Sequence, residues 1–95
     1  MNADELLSLY ESGQRSFEGT DLAMEDLRGA TLAGASFAGA QLMMVNLSEA
    51  DLSQADLTDV DLRWANLNNA VVSGEQLDQV ADLTGATLPD GSVHR

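Results

Sequence analysis

Cysteine and lysine are both missing from the 95 residues, and histidine and tryptophan occur once each. Without cysteine, neither disulfides nor thiolate metal ligands can hold the chain together, and nothing requires an oxidising compartment. The only histidine, His94, stands one residue from the end, where chains are usually mobile. Ser36, Ser48 and Ser53 have no evident base to activate them, and no glycine-rich loop cradles a phosphate. These absences predict no catalysis and no cofactor. No loop carries the EF-hand pattern and no set of carboxylates converges, so no metal is expected either. Residues 1–9 lack a basic segment and a long apolar run, which argues against a secretory leader. No stretch approaches the length needed to cross a bilayer, and a soluble cytoplasmic protein is the expectation. Positive charge is scarce: four arginines face sixteen acidic residues, a net charge of -12. Such a field repels nucleic acid and anionic membrane surfaces, so direct binding to either is not expected.

What is present is a period. A large apolar residue recurs at every fifth position, at Phe17, Leu22, Leu27, Leu32, Phe37, Leu42, Leu47, Leu52, Leu57, Leu62, Leu67 and Val72. Two residues before most of these centres stands a small residue, and directly before them a short polar one, as in Ala55-Asp56-Leu57-Thr58-Asp59. An α-helix cannot use this spacing, because five steps of about 100° advance a side chain roughly 140° past a full turn. A flat strand cannot either, since an odd spacing sends alternate leucines to opposite faces. The backbone must turn a corner once per unit and wind into a coil with the leucines inside. A second spacing, of twenty, relates Phe17 to Phe37 and Met24 to Met44 to Trp64. Four sides per coil would stack like on like, and three coils would make a body roughly 14 Å long at strand spacing.

The run resembles the pentapeptide-repeat family, whose units read alanine, aspartate or asparagine, leucine and two variable residues. The resemblance covers twelve successive units. It implies an all-β solenoid, a right-handed quadrilateral β-helix of about three coils. The ends are similar to those of cyanobacterial members, with Glu5-Leu6-Leu7 in an N-terminal helix and a tail at Gly85-Ala86-Thr87-Leu88-Pro89-Asp90-Gly91. Thr20, Glu25, Val45 and Val60 replace the small inward residue. Of these Glu25 conflicts most with burial, and its carboxylate must find solvent or a partner such as Arg28.

The expected organisation is a single domain: an N-terminal capping helix in 1–14, the repeat in 15–74, and a C-terminal cap and tail in 75–95. Asn2 is placed to cap a helix ending at Gly13, with Glu5 completing a capping box. Ser73 and Gln76 are placed to start a second short helix through Leu77 and Val80. Leu83 and Leu88 then resume the five-residue spacing one position out of phase. Corner positions hold glycine at 19, 29, 34, 39 and 74. Because Met, Glu, Gln, Asp, Trp and Asn occupy the same position elsewhere, positive φ is not expected to be mandatory there. Asn46 and Asn66, in one column with Asp26, are expected to form a ladder along the rod.

On four sides, the outward residues are unequal. The side of Leu22, Leu42 and Leu62 carries Met24, Met43, Met44 and Trp64, with Ala23 and Arg63 beside them. The other sides show residues such as Ser48, Glu49, Ser53, Gln54, Asn68 and Asn69. An aligned column of methionines with the sole tryptophan is what a binding surface looks like, because Trp, Met and Arg are enriched where interfaces are most buried. The alternatives are that the C-terminal cap folds back over Trp64 or that the column serves self-association alone. The predicted function is therefore a non-catalytic scaffold or adaptor. Met24, Met43, Met44, Arg63 and Trp64 would bind a partner protein, or a second copy in a homodimer. The resemblance implies an alternative, since some members imitate DNA and protect gyrase from inhibitors. A body of roughly 14 Å would span only about four base pairs, which argues against it.

Overall fold

A computed structural model describes residues 1–95. Its parallel bridges join residues twenty apart: Ser16 to Ser36 to Asp56, Asp21 to Gln41 to Asp61, Asp26 to Asn46 to Asn66, and Thr31 to Asp51 to Val71. The chain thus completes one coil every twenty residues, with four bridging columns per coil. Most centres donate their N–H to the coil above, as Phe17 to the Ser36 carbonyl at 2.8 Å, and the coil returns a bond, as Ser36 N–H to the Arg15 carbonyl at 2.7 Å. The interior holds the apolar centres from Phe17 to Leu67 together with Ala35, Ala40, Val45, Ala50, Ala55, Val60, Ala65 and Ala70, while Val72 is half-buried at its end. Phe17 and Phe37 stack within it, ring centroids 5.7 Å apart.

At each corner the carbonyl of the centre accepts from the N–H three residues on, as Leu22 from Glu25 at 3.2 Å and Leu62 from Ala65 at 3.1 Å. Between them the second residue after the centre has positive φ, the arrangement of a type II turn. This holds for Met24, Met44, Glu49, Gln54, Asp59, Trp64 and Asn69 as it does for Gly19, Gly29, Gly34 and Gly39, whereas Gly74 opens a helix instead. The expectation drawn from residue type was therefore wrong: positive φ is the rule of the corner. A side chain in that region costs about 1–2 kcal/mol, and the bonds to the coils above and below impose it nonetheless.

Aspartate or asparagine before a centre has a local task. Asp21 Oδ1 accepts from Ala23 N–H, Asp26 from Arg28, Asn46 from Ser48 and Asn66 from Asn68, at 2.9–3.1 Å. The asparagines therefore spend their oxygens on the residue two ahead, and the ladder along the rod is not formed. Where Ser or Thr follows the centre, its hydroxyl donates to the same oxygen. These bonds, and the same pair between Asp90 and Ser92 in the last turn, hold the Asp51, Asp56, Asp82 and Asp90 carboxyls below the ordinary carboxylate value.

Helix α1, Ala3–Glu11, closes the first coil. Its Leu6 is fully buried in the core, and Leu7, Leu9 and Tyr10 pack on that core. Only half of the expected capping box exists: Asn2 Oδ1 accepts from Glu5 N–H at 2.8 Å. The other acceptor comes from the coil, because Glu25 Oε1 takes the Ala3 N–H at 2.7 Å. Glu25 thus finds a helix N-terminus, which favours negative charge, in place of Arg28. Tyr10 donates its hydroxyl to the Ala33 carbonyl at 2.7 Å, and Arg15 lies 3.6 Å above the Tyr10 ring.

Helix α2, Gly74–Leu77, forms the complete capping box between Ser73 and Gln76, and Val80 lies beyond its end. Past it the coil resumes for two more sides, with Asp61 bridging Asp82 and Asn66 bridging Thr87, now twenty-one apart. The out-of-phase spacing of Leu83 and Leu88 is the one residue gained in rounding α2. The segment after 74 is thus a half coil as well as a cap. The last residues fold back against it, with Gly85 N–H donating to the His94 carbonyl at 2.7 Å and His94 N–H to the Ala86 carbonyl at 2.8 Å. Both backbone groups of His94 are therefore hydrogen-bonded. The whole measures 36 × 22 × 22 Å, longer than the repeat body alone because α1 and the half coil extend it. No helix is long and apolar enough to cross a membrane.

Candidate interaction surface

The corner after Leu22, Leu42, Leu62 and Leu83 carries Met24, Met44, Trp64 and Gly85. Coil-to-coil bonds fix their alignment: Met24 N–H donates to the Met43 carbonyl, Met44 N–H to Arg63 and Trp64 N–H to Thr84, each at 2.9 Å. The three large side chains stay in solvent, with Met24 69%, Met44 52% and Trp64 61% exposed. Met43, one residue nearer its centre, is half-buried, and Arg63 is exposed. The five residues singled out in the sequence therefore share one edge of one side.

Arg63 is held in place. Its Nη2 lies 2.8 Å from Asp61 Oδ2 and 3.1 Å from Met43 Sδ, and its Nε lies 4.0 Å from Asp82 Oδ2. The guanidinium keeps the Asp61 carboxyl below its ordinary value, and the same contact raises Arg63. Asp61 and Asp82 are thus paired with Arg63, whereas Asp21 and Asp26, next to Met24, meet no cation in an ion pair.

Two further residues belong here that sequence reasoning missed. Gly85 (φ +75°) lies against the indole: a Cβ there would come 2.0 Å from Trp64 Cε3. The C-terminal half coil therefore supports one face of Trp64 and leaves the rest open. Continuing the corner count through Leu83 would have found it. Met1, 40% exposed, lies at the other end of the same side, its amino group 3.5 Å from the Asp21 carbonyl. No signal in the repeat could have placed it, because the helix carrying it is seated by contacts across more than twenty residues.

The interior is filled, and the hollows lie on the surface. The larger, about 700 Å³, lies between α2 and the coil beside Ser53, Asp56, Val71 and Gln76. Gln76 Nε2 reaches into this region to the Leu52 and Ala55 carbonyls, and no histidine or cationic side chain lines it.

Comparison with known families and structures matches this arrangement to described repeats. A family profile described as Pentapeptide repeats, in eight copies, matches residues 16–48 and 45–74. Among solved structures, the chain is similar to HetL, a pentapeptide-repeat protein involved in heterocyst differentiation regulation from the cyanobacterium Nostoc sp. strain PCC 7120. That likeness has 28% identity and a TM-score of 0.49, covering 85% of this chain and 50% of HetL. A second pentapeptide-repeat protein of Nostoc PCC 7120 shares 29% identity at a TM-score of 0.43, over 92% of this chain and 75% of its own. One from the thylakoid lumen of Arabidopsis thaliana shares 33% at a TM-score of 0.38, over 85% and 60%. This chain thus spans half the length of HetL. No curated protein matches.

Proposed function

Because this chain belongs to the pentapeptide-repeat family, we propose that it is a right-handed quadrilateral β-helix serving as a non-catalytic interaction module. Met24, Met43, Met44, Arg63 and Trp64 bind a partner protein. The observation that carries this reading is the corner column. Three large apolar side chains stand more than half exposed in a backbone conformation that glycine adopts more readily. Glycine or a polar residue occupies the other three corner columns. Exposed apolar surface with Trp, Met and Arg is what interface cores use.

The test replaces Met24, Met44 and Trp64 by glycine, which keeps the turns and removes the surface. The readouts are crosslinking in native lysate followed by mass spectrometry, and sedimentation of the pure protein. The parent is expected to crosslink to a partner protein that the triple variant no longer captures. If both the crosslinks and the oligomeric state match those of the parent, the column is not the site.

A further inference from the structure

Resting on that reading, we propose that the partner presents a basic amphipathic helix, laid along the rod axis against the Met24, Met44 and Trp64 edge. Two observations specify this chemistry. The first is spacing. Successive coils lie about 4.8 Å apart, so Met24 to Trp64 spans about 9.6 Å. A helix presents apolar residues at i, i+3 or i+4, and i+7, separated by about 4.5–6 Å and spanning about 10.5 Å. Three anchors on the partner therefore meet three side chains in step, the mode in which amphipathic helices dock. Met43 and Ala23, both half-buried beside the column, complete the floor.

The second observation is charge. Asp21 and Asp26 stand on either side of the Met24 corner, and Asp61 and Asp82 beside Trp64, with Asp4 and Glu5 in the first turn of the helix seated at the near end. Two cations lie on the column's side, Arg63, already bonded to Asp61, and the Met1 ammonium, 3.5 Å from the Asp21 carbonyl; Arg28 lies beyond Asp26 on the next side. The rim is thus acidic, and Lys or Arg flanking the partner's apolar stripe would meet it. The outward face of Trp64, supported behind by Gly85, offers a further seat for such a cation. A second copy fits poorly, because two chains of net charge -12 would be brought together along their acidic rims.

The probe is a synthetic Leu/Lys helix of about five turns with leucines at amphipathic spacing. Its controls are a scrambled peptide of the same composition and a counterpart with Glu for Lys. Trp64, the sole tryptophan, reports directly: saturable binding with a blue-shifted emission is expected, alongside calorimetry on the full chain. The scrambled peptide should bind at least about tenfold more weakly, and the Glu peptide not at all. Asp21→Asn with Asp26→Asn keeps both turn acceptors and removes two charges. It should weaken binding severalfold and flatten its salt dependence. Met24→Gly with Met44→Gly should cost about tenfold or more. Equal binding by the scrambled peptide, or undiminished binding by the glycine variant, overturns the proposal. So does an emission that shifts with the protein's own concentration, which would make a second copy the occupant. If the peptide leaves Trp64 unmoved while the triple glycine variant still loses its crosslinks in lysate, the column binds something other than a basic helix. If neither responds, both readings fall together.

Discussion

The corner after Leu32 and Leu52 carries Gly34 and Gln54, whereas the corner after Leu22, Leu42 and Leu62 carries Met24, Met44 and Trp64. Their backbones are alike, with φ of 74° and 62° on one and 66°, 56° and 62° on the other. Both are closed by the same turn bond, and Gly34 hangs on the coil above by an N–H at 2.9 Å just as the three column residues do. The residue types differ because the backbone leaves that choice free: its conformation is imposed by the coils, and the side chain points to water. What the inward residue does is set by the core, and what the corner residue does is left to function.

The largest effect that would break this division lies at the inward residue beneath the column. Leu42 is buried, packed within the single core. Leu42→Ala removes apolar volume that the stacked coils cannot readily fill, and should cost about 2–5 kcal/mol in denaturant unfolding. A loss well below this would mean that the coils carry their stability in backbone bonds and that inward and outward positions differ little in what they contribute.

A smaller effect is expected at Gly85, the member of the column that supports Trp64. A methyl group there meets the left-handed backbone cost of about 1–2 kcal/mol and collides with the indole. Gly85→Ala should therefore destabilise by at least that amount and shift Trp64 emission to the red as the ring swings into solvent. Loss of stability with unchanged emission would show that the indole does not rest on the half coil.

The five-residue and twenty-residue spacings made the inward set and the columns legible, because burial and stacking act directly on side-chain size. Phe17 over Phe37 and the alignment of Met24, Met44 and Trp64 follow from counting. The corner conformation was not legible, because residue type reports φ only where the chain is free to choose, and bonds above and below remove that freedom. The Glu25 bond to Ala3 was hidden for another reason. It joins the helix to the first coil, and no local pattern states where a cap will sit. The half coil at 81–90 was visible as spacing, but its register depended on how many residues α2 would absorb.

The smallest effect bears most directly on the column. Met44 sits at φ 56° and is 52% exposed, so it bears the cost of a left-handed side chain while burying only part of its own surface. Met44→Gly relieves about 1–2 kcal/mol of that cost. It returns about 0.5–1 kcal/mol through the greater freedom of the unfolded chain, and loses some packing against its column neighbours. The net expectation is a change between zero and about 1 kcal/mol in favour of folding, read as the midpoint of denaturant unfolding at unchanged slope. A loss exceeding about 1 kcal/mol would mean the column is held for its own packing, as a structural strip along the rod. A neutral or stabilised variant that no longer binds would separate the two requirements: the chain folds as well without the methionine, and the residue is there for what it touches.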